Sequence, residues 1–92
     1  MNEHTQRILE RMLSLLTGYR EGDVIFTHLV RSLEGSLSAL EEKLPRTFYD
    51  TWYEHWGELE TYLAIGIEKE RKAEILKEIE ALDTLIKQNL KQ

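Results

Sequence analysis

The chain has no cysteine and a single proline. Without thiols, a disulfide scaffold and a cysteine-ligated zinc site are both excluded, and nothing demands an oxidising compartment. One Pro and five Gly in 92 residues are too few turn formers for a turn-rich β fold. No apolar run approaches the roughly 20 residues that span a bilayer. The polar start MNEHTQR does not read as a signal peptide. A cytoplasmic protein with no membrane role is therefore expected.

Recognisable catalytic motifs are missing as well. No Ser stands in a Gly-x-Ser-x-Gly context, no glycine-rich loop precedes Lys-Ser/Thr, and no His-Glu-x-x-His occurs. The Glu-x-x-His spacing of carboxylate-bridged metal bundles is absent too. Glu54, His55 and Glu58 could in principle offer metal ligands, but their spacing fits no such pattern. His55 is read as a local hydrogen-bond partner of Glu58 or Tyr62, His28 as a boundary residue of its helix, and His4 as part of a frayed start. The expectation is a protein without catalysis, cofactor or metal.

What is present favours helices. The chain is 41% hydrophobic and 32% charged, with Leu, Glu and Lys prominent, so one globular domain over residues 1–92 is expected. A domain this small buries only about 60–65% of its unfolded surface, and its stability should be about 5–10 kcal/mol. Net charge is −5. Residues 45–68 carry one basic and five acidic groups, whereas 69–92 carry six basic and five acidic. A chain with no basic patch is poorly suited to phosphate contacts, so no nucleic-acid partner is expected.

Periodicity predicts four helical stretches. Ile8, Leu9, Met12, Leu13, Leu16 and Tyr19 form one apolar stripe. That helix should run from about Glu3 to Thr17, capped by Asn2 and stopped by Gly18. Asp23 then caps a second helix reaching Leu44, where Pro45 ends it. Its stripe is Phe26, Leu29, Val30, Leu33, Leu37, Leu40 and Leu44, with Gly35 and Ser36 either weakening its middle or admitting a close neighbour. Thr47 to Asp50 reads as a capping box for a third helix extending to about Glu68.

Six of the eight aromatic residues fall in the third stretch, between Phe48 and Tyr62. Tyr49, Trp52, Trp56, Leu59, Leu63 and Ile67 lie along one side, with Phe48 and Tyr62 on one flank and Tyr53 on the other. Core packing is the simplest role for most of these rings. Residues 69–92 give a fourth pattern through Ile75, Ile79, Leu82, Ile86 and Leu90, with Asp83 and Lys87 as an i, i+4 pair. On one continuous spiral, its stripe would point about 140° away from that of residues 49–67, so a break is expected near Lys69–Lys72. The fold expected is an all-α, small antiparallel bundle of three to four helices.

Asp50, Glu54 and Glu58 recur at i, i+4, i+8, a spacing at which like charges cost about 0.2–0.5 kcal/mol per pair. A solvated face is the plain explanation. A face awaiting a basic protein partner is the functional one, because such a partner would relieve the repulsion. Tyr53 and Tyr62, furthest from the stripe's centre, are the rings expected to stay exposed as anchors beside it. The candidate partner-binding set is thus Asp50, Glu54, Glu58, Tyr53 and Tyr62.

Leu44-Pro45, Phe48, Asp50, Trp52, Trp56, Leu59-Glu60 and Ala64 resemble a pattern in a family of small bacterial helical proteins without an established activity. Leu15-Leu16, Gly22, Leu29-Val30, Leu33 and the stretch from Leu37 through Leu40 are similar to that family's first helical hairpin. The resemblance covers about residues 8–68. The family pattern has an aromatic where this chain has Leu63, and often another where it has Gly57. It implies a helical fold and a bacterial source, not a function. The functional expectation is a protein-binding module, immunity- or antitoxin-like, whose acidic helix face meets a basic effector. The alternative is a homodimeric structural or adaptor protein.

Overall fold

The computed structural model describes Met1–Lys91; Gln92, the last residue of the fourth predicted stretch, lies outside the described residues. The fold is all-α. Its four helices are α1 (Glu3–Arg20), α2 (Phe26–Ser38), α3 (Arg46–Ile65) and α4 (Lys72–Leu90). Each packs on its sequence neighbour and α4 closes back onto α1, while the backbones of the diagonal pairs stay more than 8 Å apart between Cα atoms. Short connections make the neighbours antiparallel. Among the described residues no helix is long and apolar enough to cross a membrane.

All four helices contribute to one core. Leu9, Met12 and Leu16 of α1 and Leu29 and Leu33 of α2 are fully enclosed. So are Trp52 and Leu59 of α3 and Ile75, Ile79, Leu82 and Ile86 of α4. Phe48 sits beside them. Phe48 and Trp52 are thus enclosed, Tyr49, Trp56 and Tyr62 pack partly buried against the core, and Tyr53 stays exposed.

The helix ends differ from expectation in instructive ways. Asn2 caps α1, accepting the Thr5 N–H at 2.8 Å. Gly18 does not end that helix. The terminator is Gly22, at φ 84°, in a Schellman motif. The Asp23 N–H returns to the Gly18 carbonyl at 2.8 Å and the Gly22 N–H to that of Tyr19 at 3.1 Å. Gly18 instead makes room: a Cβ there would lie 2.5 Å from Val24 Cγ2. Asp23 is consumed by this turn and caps nothing. Helix α2 starts at Phe26, with Ile25 in the cap position and no side-chain hydrogen bond.

Helix α2 stops at Ser38, six residues short of Leu44. Gly35 and Ser36 weaken its last turns, and nothing lies within 4 Å of a Cβ built on Gly35, so that glycine admits no neighbour. Leu40 and Leu44 still pack against the core from the loop. This is why an apolar spacing suggestive of helix continued past the helix itself. The loop is held by the start of α1. Asn2 N–H donates to Glu42 Oε1 at 3.0 Å, which holds that carboxyl below its usual range. His4 Nε2, expected to be frayed, lies 3.0 Å from the Ala39 carbonyl oxygen.

Pro45 rather than Thr47 occupies the cap of α3, and no side chain caps it. Proline at this point already fixes an extended entry (φ −55°, ψ 145°), and its carbonyl accepts the Phe48 N–H at 2.9 Å. Thr47 falls inside the first turn, so the capping box is not formed. Helix α3 ends at Ile65, three residues before Glu68. Gly66 (φ 79°) forms a second Schellman motif, with Ile67 N–H on the Tyr62 carbonyl and Gly66 N–H on that of Leu63, both at 3.2 Å. The predicted break between the third and fourth helices is thus present, and it absorbs the phase change between their apolar stripes.

Candidate functional site

The exposed side of α3 carries the residues singled out in the sequence. Its inner wall fixes their positions. Trp52 is fully buried and stacks on Trp56, with centroids 5.8 Å apart and planes 14° from parallel. The Trp56 indole N–H donates to the Val30 carbonyl of α2 at 2.9 Å, which locks the ring between two helices. Tyr53 stands edge-on to both indoles, at 5.1 Å from Trp52 and 6.1 Å from Trp56. It remains 47% exposed.

Asp50, Glu54 and Glu58 are all exposed. Among the described residues Asp50 is paired only with Arg46, at 3.8 Å between two highly exposed side chains. Such a pair contributes little. Glu54 and Glu58 form no ion pair among the described residues.

The five predicted residues do not form one patch. Tyr53 and Tyr62 are nine positions apart, about 180° around a helix of 3.6 residues per turn. Tyr53 lies on the α2 side with Trp56. Tyr62 lies on the α4 side, half-buried against the core rather than exposed. Burial, followed by the nearby carboxylates of Glu58, Glu74 and Glu78, pushes its phenol pKa up. Asp50 thus falls nearer Tyr53, Glu58 nearer Tyr62, and Glu54 on the outer ridge between them.

His55 is not bonded locally. Its Nδ1 lies 2.6 Å from Glu78 Oε2, joining α3 to α4. The lateral position of His55 on α3 follows from helical phase, but the residue opposite is set by how α4 registers against it.

A second polar cluster was not anticipated. Tyr19 Oη donates to Glu68 Oε2 at 2.6 Å, and Lys72 Nζ donates to Tyr19 Oη at 2.9 Å. The same ammonium lies 4.1 Å from the centre of the Tyr19 ring. Burial above all, and then Glu68, drives this phenol well above its ordinary pKa. The only sequence signal was a tyrosine at the end of an otherwise aliphatic stripe. Asp83 is also buried. It takes Lys87 at 2.8 Å, as the i, i+4 spacing suggests, and Arg20 of α1 at 3.5 Å.

Several grooves border α3, and two of them bear on this face. One, between α2 and α3, has a volume of about 320 Å³ and is lined by Val30, Arg31, Glu34, Trp56, Glu60 and Leu63. The other, against α4, holds about 430 Å³, with Thr51, Ala81, Thr84 and Leu85 along it. Among the described residues no group of three or more His, Asp or Glu side chains converges to hold a metal ion. Comparison with models of known protein families, with curated proteins and with solved structures finds no match.

Proposed function

We propose that this protein is a non-enzymatic protein-binding module that uses the outer face of α3 against a basic partner. The observation that carries the proposal is the pairing state of that face. Glu54 and Glu58 stand in solvent with no ion pair among the described residues, and the exposed ring of Tyr53 lies at the Asp50 end of the ladder. Repulsion along Asp50, Glu54 and Glu58 is a cost that a cationic surface would relieve, and Coulomb attraction would also speed encounter. Tyr53 supplies the amphipathic anchor typical of binding hot spots. Tyr62, half-buried, acts in this reading as a support for Glu58 rather than as an anchor. An immunity- or antitoxin-like protein of the bacterial cytoplasm, covering a basic effector, is the concrete form of the proposal.

The test is capture from a native-host extract by the wild type and by an Asp50→Asn/Glu54→Gln/Glu58→Gln variant. The expected result is a basic protein retained by the wild type at low salt and released as ionic strength rises. The neutralised variant should retain it poorly. Equal capture by both forms, or an association rate indifferent to salt, would remove the electrostatic basis of the proposal.

The homodimer reading has weaker support. It rests on the wide apolar arc of α3 and the phase change near residue 70, but the break at Gly66 absorbs the phase change and much of the arc packs against the core. Its remaining support is the exposure of Ile25 and Ile65 at one end of the bundle. Light scattering at high micromolar concentration discriminates: a strict monomer eliminates it.

A further inference from the structure

We infer that the groove between α2 and α3, floored by Trp56, is a receptor for a single guanidinium-bearing side chain of the partner. The inference rests on the basic-partner proposal above for the biological source of that side chain, but not for the chemistry of the groove.

Three observations converge there. First, the floor is aromatic and rigid. Trp52 covers one face of the Trp56 ring, the Val30 carbonyl fixes its edge, and the partly exposed remainder lines the groove. Tyr53 braces the indole from outside the groove, its ring at 88° to that of Trp56. An arginine side chain suits this surface, since its flat guanidinium stacks on indole and its stem covers apolar area such as Leu63. Second, carboxylates reach the groove from both helices, Glu34 from α2 and Glu60 from α3. Both are exposed, and neither is in an ion pair among the described residues. Third, the volume of about 320 Å³ has room for one long side chain.

Arg31 also lines the groove, and it too is unpaired among the described residues. It leaves the rim with two carboxylates against one guanidinium and opposes an incoming cation. This predicts a gain on its removal, which a merely acidic surface distant from Arg31 would not show. The recognition element is distinct from the Asp50/Glu54/Glu58 ladder, which attracts at range, whereas the groove would select.

The test uses a blocked Gly-Arg-Gly peptide amide and its neutral citrulline counterpart, titrated into the 92-residue protein by NMR. The expected result is a shift of the Trp56 indole N–H resonance, with a Kd of about millimolar order, for the arginine peptide alone. Glu34→Gln and Glu60→Gln should each weaken it about two- to fivefold, and Arg31→Ala should tighten it by a similar factor. These positions are exposed, so the substitutions leave the fold intact. Identical shifts with the citrulline peptide, a silent Trp56 resonance, or insensitivity to all three substitutions would overturn the inference. The two proposals fail separately. If the peptide titrates Trp56 while the ladder variant captures partner normally, the groove stands and the ladder falls. If the ladder variant loses its partner while Trp56 stays silent, the groove alone falls.

Discussion

At the scale of single residues, glycines show how little a residue's type says without its surroundings. Gly57 and Gly18 both lie within helices, yet they should respond oppositely to alanine. A Cβ at Gly57 meets nothing within 4 Å, so Gly57→Ala should raise stability by about 0.5–1 kcal/mol through helix propensity alone. A Cβ at Gly18 would strike Val24 at 2.5 Å, so Gly18→Ala should cost about 1–3 kcal/mol despite the same gain in propensity. Urea unfolding of the two variants checks the sign of each. Tyr19 offers a pH signature. Its phenol pKa is raised above the ordinary 10.0 in the folded protein, so the native state keeps the proton that the unfolded chain loses. Stability from this source is complete below pH 10 and declines as pH climbs beyond it. Tyr62 acts in the same direction. Tyr19→Phe should therefore flatten the alkaline decline in the urea midpoint, while lowering stability near neutrality because Glu68 and Lys72 lose their partner.

At the scale of elements, helix ends were the least legible part of the sequence. Asn2 and the break before α4 could be read directly, because a cap is a local hydrogen bond and a phase change is a property of spacing. Gly18, Asp23, Leu44 and Thr47 could not be placed the same way. Each is a chemically reasonable terminator, and in each case a neighbour won through a non-local contact or a stronger backbone constraint. Val24 packs on Gly18, Leu40 and Leu44 are held against the core from a loop, and Pro45 pre-empts Thr47. The unfilled cap at Ile25 follows from this. It is extended, 73% exposed and makes no side-chain hydrogen bond, so Ile25→Asp should stabilise α2 by about 1 kcal/mol. Thermal unfolding would read this as an upward shift in Tm, and a drop would mean that the side chain packs more than its exposure implies.

At the scale of the whole molecule, α4 is the element on which the others depend. Its Ile75, Ile79, Leu82 and Ile86 are fully enclosed, and it carries the partners of His55, Tyr19 and Arg20. A chain ending at Ile65 should lose cooperative unfolding and bind hydrophobic dye, because Trp52 and Leu59 would face water. Retention of a sharp transition would show that three helices suffice.

The acidic ladder and the aromatic stripe were both legible, since spacing at 100° per residue fixes where a side chain leaves its own helix. It does not fix what stands opposite. Tyr62 looks exposed from α3 alone and is half-buried in the packed bundle, and Glu60 and Glu34 share a groove only because α2 and α3 pack side by side. The amino-acid sequence by itself determined four amphipathic helices, an aromatic inner wall and an unbalanced acidic surface, because these arise from intervals along one chain. Tertiary structure alone decided which carboxylates were neutralised, which rings stayed open and where Trp56 found a groove, because those depend on the register between helices, set by how their side chains interlock.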